Sequence, residues 1–181
     1  YYEKDQRLFP KMFQILRLGL NQVATNFPPL TARLVYEKYL DDTDNQYKVW
    51  DCCAGWGGRM LGALCSNRKI HYIGTDINSS NKGSYEMLGE FYNNHTDGKN
   101  TYEIHYKGSE TIGTDVDFIK HKNDLDLVFT SPPYFNRELY SEDKEQSSIK
   151  FPNYDDWLSG YLEPTLQNCY DLLKSKRYCL I

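Results

Sequence analysis

The sequence predicts an α/β domain with a mostly parallel sheet and helices packed on both faces of it. Two observations support this fold class. Short apolar segments of strand character alternate with segments of helical spacing, and glycine-rich or acidic residues follow the strands. With 181 residues, 40% of them hydrophobic, the chain is long enough for one core. In such sheets ligands bind beyond the carboxyl ends of the strands, so we expect the functional residues there.

The order of the elements follows from this alternation. The periodicity predicts a helix within an N-terminal helical extension, residues 1–25, and then a main domain, residues 26–181, that opens with a helix at 30–40. The predicted strands are 47–50, 70–75, 101–106, 125–129 and 178–181. The predicted helices between them are 58–65, 81–92, 115–120 and 155–174, the last with Pro164 inside it.

Composition argues against several classes of protein. No apolar run approaches the roughly 18 residues of a membrane helix, and the polar N-terminus does not resemble a signal peptide. Five cysteines without C-x-x-C spacing argue against a disulfide framework and against a zinc site. We therefore expect a cytoplasmic protein with no metal and no membrane partner. The net charge of −4 lacks the basic footprint that is usual for nucleic-acid binding.

A glycine-rich turn follows the first strand, with the sequence Asp51-Cys52-Cys53-Ala54-Gly55-Trp56-Gly57-Gly58-Arg59. Glycines let the backbone turn sharply and approach a ligand closely. A P-loop is disfavoured because no Lys-Ser or Lys-Thr follows the glycines. The Asp51 carboxylate would repel a pyrophosphate but could receive a cationic amino-acid group. A purely structural strand-to-helix turn is the alternative.

The second strand also ends in an acid, Asp76. An acid at this place accepts hydrogen bonds from ribose hydroxyls in dinucleotide sites. The alternative is that Asp76 caps the next helix. Taken together, Asp51, Gly55, Gly57 and Asp76 resemble the cofactor site of the Rossmann-like methyltransferases.

The fourth strand leads into Thr130-Ser131-Pro132-Pro133-Tyr134-Phe135, at the same edge of the sheet. A polar turn with two prolines is the simpler interpretation. Residues 131–134, however, resemble the (Asp/Asn/Ser)-Pro-Pro-(Tyr/Phe/Trp) motif of S-adenosylmethionine-dependent DNA amino-methyltransferases. Residues 51–59 resemble the cofactor motif of that family. Residues 26–33 resemble the preceding segment, which packs on the methionine part of the cofactor.

This resemblance covers most of residues 26–181, which would then be the methyltransferase catalytic domain. It implies the Rossmann-like methyltransferase fold and S-adenosyl-L-methionine as cofactor. The family's sheet has seven strands, so a C-terminal hairpin would follow Ile181. The implied cofactor-binding residues are Phe27, Pro28, Asp51, Cys53, Ala54, Gly55, Gly57 and Asp76, with Ser109 and Glu110 for the cofactor adenine and Asp115 and Asp117 as rivals of that pair.

The catalytic residues that the resemblance implies are Ser131, Pro132, Pro133 and Tyr134. An aromatic amine is a poor nucleophile because its lone pair is delocalised into the ring. The Ser131 hydroxyl and the Pro132 carbonyl would accept its N–H groups and direct the lone pair at the methyl group. Pro133 would stiffen the loop. Tyr134 would stack on a flipped-out base, and Phe135 could add a second apolar surface.

The molecule that carries the amine stays open. Serine at the first motif position is frequent in cytosine-N4 enzymes, whereas the order of the two motifs is that of adenine-N6 enzymes. DNA, in the setting of restriction-modification, is the expected partner, and RNA or a protein glutamine is the alternative. A nicotinamide-dependent oxidoreductase is disfavoured because Gly-x-Gly-x-x-Gly is lacking, and the intact motifs disfavour a non-catalytic binding module. The polar stretch 138–148 is either a loop over the substrate or a plain solvated loop.

Overall fold

The computed structural model describes residues 25–137 and 143–181, and it confirms the predicted fold class. One sheet has the strand order β3-β2-β1-β4-β5, with all neighbours parallel. The strands are β1 (Tyr47–Asp51), β2 (Ile70–Thr75), β3 (Thr101–His105), β4 (Leu125–Phe129) and β5 (Leu173–Leu180). The helices are α1 (Pro29–Tyr39), α2 (Gly58–Leu64), α3 (Lys82–His95), α4 (Val116–Ile119), α5 (Ser147–Lys150), α6 (Tyr154–Trp157) and α7 (Glu163–Leu172).

Helices cover both faces of the sheet because successive strand residues point to opposite sides. One core contains Val49, Tyr72 and Leu127 and is covered by α1, α2 and α3. The other contains Trp50, Ile73 and Val128 and is covered by α4 and α7. The predicted helical extension lies outside the described residues, apart from Thr25. The assignment of residues 26–181 to one catalytic domain stays a prediction.

Helix α1 packs against α2 along a face that has no room for side chains. A Cβ atom on Gly58 would lie 2.1 Å from the Phe27 carbonyl oxygen, and one on Gly62 would lie 2.6 Å from the Ala32 Cβ. The two glycines therefore let the segment before α1 run beside the glycine turn, at the carboxyl end of the sheet.

The long helix predicted for residues 155–174 is interrupted. A π-helical turn, Leu158–Leu162, separates α6 from α7, and the Glu163 N–H donates to the Leu158 carbonyl. Pro164 lacks an N–H and its ring crowds the carbonyl four residues earlier, so a regular α-helix is disfavoured at this point. The wider π turn precedes the proline directly and brings Tyr161 toward the carboxyl end of the sheet.

The last strand begins earlier than predicted, at Leu173 instead of residue 178. Its register with β4 shifts between the pairs Leu125↔Leu173 and Leu127↔Tyr178, which marks a bulge in β5. Lys176 has a left-handed backbone there, with φ of 62°. The polar run 174–177 has no strand-like pattern, which explains why the sequence did not reveal this part of β5.

A buried histidine next to β3 gives the fold a pH dependence. Burial lowers the pKa of His121, and the charges of Lys120 and Lys48 lower it further. The folded chain therefore takes up this proton less readily than the unfolded chain, in which the pKa is 6.5. The stabilising contribution is fully present above pH 6.5 and is lost as the pH falls from 6.5 toward the folded-state value.

We expect the free energy of unfolding, measured by urea titration, to fall between about pH 7.5 and about pH 5.5. The fall should be smaller in His121→Gln, and each unit of pKa depression corresponds to about 1.4 kcal/mol. His95→Gln, at an exposed position of α3, is the control and should behave as the wild type. Equal slopes for all three proteins would contradict the role given to His121.

Candidate active site

A cleft of about 390 Å³ opens at the carboxyl ends of β1, β2, β3 and β4, a size typical of small-molecule sites. The segment before α1 and residues 145–147 complete its walls. Most of the predicted site residues meet in it. Those that line it are Phe27, Pro28, Cys53, Ala54, Gly55, Asp76, Ser109, Glu110, Ser131, Pro133 and Tyr134. Those that do not are Asp51, Gly57, Pro132 and Phe135.

The glycine turn is held in place from the side of β2 and α3. Gly55 has φ of 59° and Gly57 has φ of 80°, backbone conformations that favour glycine. The Gly55 N–H donates to Asp76 Oδ2 at 2.7 Å, and its carbonyl accepts from Asn81 Nδ2 at 3.1 Å and from the Tyr85 hydroxyl. Gly57 backs onto the Tyr85 ring instead of the cleft, so its contribution is to the shape of the turn.

Asp51 lies below the floor of the cleft, and its side chain is 0% exposed. Its carboxylate accepts from Arg59 Nε at 2.7 Å, from the Tyr72 hydroxyl at 2.7 Å and from Thr130 Oγ1 at 3.0 Å. Burial lowers the pKa of Arg59, but the charge of Asp51 outweighs this and raises it, so the guanidinium keeps its positive charge. The expected direct contact of Asp51 with a cationic ligand is therefore not what the structure shows. Asp51 instead supports the floor.

Asp76 borders the cleft, and each of its two carboxylate oxygens accepts one hydrogen bond. Oδ2 accepts from the Gly55 N–H and Oδ1 accepts from the Asn78 N–H at 2.8 Å, which leaves each oxygen able to accept a further bond. Burial raises the pKa of Asp76, against the effect of these two bonds. The residue that caps the following short helix is Asn78, whose side chain accepts from the Ser80 N–H. The helix-cap alternative for Asp76 is thus not supported.

Of the three acids considered for the adenine contact, Glu110, Asp115 and Asp117, it is Glu110 that lines the cleft. Its Oε1 accepts from Lys150 Nζ at 2.9 Å, and Lys150 also reaches Glu145 at 3.1 Å. Ser109 is buried, and its hydroxyl lies 2.9 Å from Thr165 Oγ1. The rivals Asp115 and Asp117 do not line the cleft; both pair with Lys107.

The segment before α1 forms the apolar wall opposite the β2 side. Asn26 Oδ1 accepts from the Gly58 N–H at 3.1 Å. The Phe27 ring packs edge-on against Phe129 with a centroid distance of 5.4 Å, and the Arg59 guanidinium lies 5.3 Å from its centroid. The ring is thereby fixed beside the buried ion pair.

The target loop, residues 131–134, begins where β4 ends. The Thr130 N–H donates to the Leu180 carbonyl at 3.0 Å, which fixes its first end. Ser131 Oγ lies 3.2 Å from the Tyr134 hydroxyl, and Tyr134 is 58% exposed. Pro132 is buried. Phe135 does not face the cleft, which corrects the expectation of a second apolar surface there; it packs against aromatic side chains of α6.

No family model matches this sequence, and no curated protein matches it. A methyltransferase described as S-adenosylmethionine-dependent, from Agrobacterium tumefaciens, is similar in structure, with a TM-score of 0.53 and 14% identity over 84% of this chain and 43% of that chain. The chain has the Rossmann-like methyltransferase fold. This similarity supports the assignment of the fold.

Two weaker structural similarities also involve much longer chains. A spermidine synthase from Thermotoga maritima has a TM-score of 0.45 and 16% identity over 83% of this chain and 43% of that chain. A modification subunit of a putative type I restriction enzyme from Vibrio vulnificus has a TM-score of 0.49 and 15% identity over 90% of this chain and 33% of that chain. The present chain thus spans less than half the length of all three proteins.

Several residues that shape this Rossmann-like cleft were missed from the sequence. Arg59 stood within the glycine turn, but its partner Asp51 could be identified only in three dimensions. Tyr161 lines the cleft, with its hydroxyl 3.2 Å from Cys53 Sγ, and the only sequence signal for it was the nearby Pro164. Trp56 also lines the cleft and stays 48% exposed.

Within residues 25–137 and 143–181, no helix has the length and apolar character required to span a bilayer.

Proposed function

We propose that this chain is the catalytic part of an S-adenosylmethionine-dependent methyltransferase that modifies the exocyclic amino group of a DNA base, adenine N6 or cytosine N4. The observation that carries the proposal is that a single cleft is lined both by the glycine turn with Asp76 and by Ser131 with Tyr134. The first pair of features suits a nucleoside-containing cofactor. The second suits a planar amine.

The side of the cleft at β1, β2 and β3 fits S-adenosylmethionine, which supplies an electrophilic methyl group when bound. Gly55 lets the backbone come close to a ligand, and the free acceptor positions of Asp76 suit ribose hydroxyls. Glu110 offers a carboxylate to the adenine amine. The Phe27 ring offers an apolar surface to the methionine part.

The target loop suits an amine because its groups are acceptors. We infer that the Ser131 hydroxyl, which lines the cleft, takes one N–H group of the target and helps aim the nitrogen lone pair at the cofactor. The same role for the Pro132 carbonyl rests on the motif resemblance alone, because Pro132 does not line the cleft. The first motif position holds no carboxylate, so Ser131 acts as an acceptor and not as a general base. The exposed face of Tyr134 stacks on the base, which must leave the duplex to reach the cleft.

A second candidate substrate is an amine of RNA or of a protein glutamine. Charge is the observation that favours the protein glutamine, because this substrate carries no phosphates, whereas RNA carries them as DNA does. Among the residues that the structure describes, two cations line the cleft, Arg59 and Lys107. Both are paired with acids, so neither offers an unpaired charge to a phosphate. DNA binding under the first proposal therefore relies on cations away from the cleft.

The substrate can be identified directly. The full-length protein is incubated with duplex DNA, RNA and glutamine-containing peptides in the presence of methyl-labelled cofactor, and the products are analysed by mass spectrometry. Label in N6-methyladenine or N4-methylcytosine is the expected result. Label only in RNA or peptide would replace DNA by the second candidate, and absence of label from all three would contradict the proposed methyltransferase function.

Asp76→Ala should weaken S-adenosylmethionine binding by about 1.5–3 kcal/mol, measured by calorimetry, since hydrogen bonds to a charged acceptor are lost. Asp97→Ala, at an exposed loop position away from the cleft, is the matched control and should bind like the wild type. Thermal unfolding of both variants checks that the glycine turn is intact. Unchanged affinity in Asp76→Ala would remove this residue from the cofactor site.

A further inference from the structure

Phe135, directly after the target loop, has a strained backbone. Its φ is 52°, in the left-handed region that glycine favours and bulky residues avoid. Such a conformation is energetically unfavourable and persists only where the surroundings enforce it. The packing around the Phe135 side chain therefore has to hold the backbone in this conformation.

The Phe135 ring is held by two aromatic residues of α6. Its centroid lies 5.7 Å from that of Tyr154 and 5.7 Å from that of Trp157. Trp157 is 5% exposed and is itself fixed, because its Nε1 donates to Ser147 Oγ at 3.1 Å. Packing of the half-buried Phe135 ring against these two side chains compensates the strain in its backbone.

The chain turns sharply at Phe135, so the rings of Phe135 and Tyr134 lie on different sides of the loop. Phe135 points to α6, while Tyr134 stays 58% exposed at the cleft. The turn is closed by the Arg137 N–H, which donates to the Tyr134 carbonyl at 3.1 Å. The position of Tyr134 therefore depends on the anchoring of Phe135.

The same aromatic packing reaches the cofactor side of the cleft. The Trp157 ring lies 5.5 Å from that of Tyr161, which the π-helical turn presents to the cleft. The Tyr161 hydroxyl lies 3.2 Å from Cys53 Sγ in the glycine turn. Trp157 is thus linked to the target loop through the ring of Phe135 and to the glycine turn through the ring of Tyr161.

We propose that Trp157 is a positioning residue for methyl transfer, which sets the place of Tyr134 relative to the cofactor by holding Phe135. Trp157 does not line the cleft, so it acts without touching cofactor or substrate. The proposal rests on the proposed function for its kinetic consequence, but its structural consequence is independent of any substrate.

A double-mutant cycle tests the proposal. Trp157→Leu should lower kcat/KM for the target by about 10- to 100-fold, since small misplacements of reacting groups are costly. The Kd of S-adenosylmethionine should change by less than about twofold. In a Tyr134→Ala background, Trp157→Leu should have almost no further effect, because the residue through which it acts is gone. Trp157→Phe, which retains a ring against Phe135, should restore most of the activity.

Phe118→Leu is the matched control, because Phe118 is a buried aromatic residue in the core below the sheet and does not line the cleft. In the same cycle, any effect of Phe118→Leu on kcat/KM should be additive with the effect of Tyr134→Ala. If Trp157→Leu is also additive with Tyr134→Ala, its role is only structural and the proposal is overturned. Should Trp157→Leu fail to fold, Phe135→Leu takes its place in the cycle with the same expectation.

Hydrogen exchange supplies a readout that needs no substrate. The Arg137 amide should exchange about tenfold faster in Trp157→Leu than in the wild type, and at the wild-type rate in Phe118→Leu. Unchanged exchange in Trp157→Leu would overturn the positioning role. Absence of methyl transfer by the wild-type protein on every substrate would contradict the proposed function alone, while the exchange result still decides the role of Trp157.

Discussion

Replacing Arg59 by Met should lower the free energy of unfolding by about 3–5 kcal/mol, because it leaves a buried carboxylate without a compensating charge. Asp51 is 0% exposed and Arg59 6% exposed at their side chains, and their Nε–Oδ2 distance is 2.7 Å. The hydrogen bonds from Tyr72 and Thr130 remain in the variant, but neither carries a positive charge. Urea denaturation at neutral pH measures the change.

Two further variants make this test specific. Arg59→Met combined with Asp51→Asn removes both charges and should recover a large part of the lost stability. Arg33→Met removes a partly exposed ion pair with Glu37 one helical turn away and should cost less than about 1 kcal/mol. An effect of Arg59→Met no larger than that of Arg33→Met would show that the buried pair is not charged.

Ser131→Ala should reduce kcat by about 10²–10³, or about 2.7–4 kcal/mol, since one acceptor aimed at the reacting amine is lost. Tyr134→Ala should cost about 1–3 kcal/mol, mostly in target binding, because the stacking surface is removed. Both variants should bind S-adenosylmethionine nearly as the wild type does, because the proposed cofactor site is formed by the glycine turn and Asp76. Methyl transfer and calorimetry, measured on the same samples, separate the two effects.

The controls for this prediction come from tyrosines. Tyr134→Phe should be mild because it keeps the ring face, although it loses the hydroxyl that lies 3.2 Å from Ser131 Oγ. Tyr170→Ala, at a 77% exposed position of α7 outside the cleft, should have wild-type activity. Full activity of both Ser131→Ala and Tyr134→Ala on DNA, RNA and protein would show that the Pro-Pro-Tyr segment is only a turn.

The sequence revealed those parts of the fold and the cleft that depend on local pattern. Each of the first four strands is a short apolar or alternating run, and the residue after a strand is recognisable by its glycines, its acid or its prolines. The carboxyl ends of parallel strands meet at one edge of the sheet, so the sequence alone predicts that Asp76 and Ser131 lie close together.

Features that depend on long-range packing could not be predicted. The partner of Asp51 is a side chain eight positions away on a helix, and nothing local distinguishes that arginine from an exposed one. The inward direction of Phe135 follows from aromatic residues of α6 and from a positive φ that aromatic residues rarely adopt. The bulge in β5 falls in the polar run 174–177, between the pairs Leu125↔Leu173 and Leu127↔Tyr178, so it depends on the register with β4 and not on a local pattern.

The hydrogen bonds of Asp51 determine which parts of the cleft can move during a catalytic cycle. This carboxylate joins β1 to α2 through Arg59, to β2 through Tyr72 and to the start of the target loop through Thr130. Displacement of the floor would break these buried bonds, whereas the Tyr134 side chain is 58% exposed and can move without breaking them. Under the proposed function, substrate admission and product release would therefore involve motion at Tyr134, while the floor keeps the same spacing between donor and acceptor from one turnover to the next.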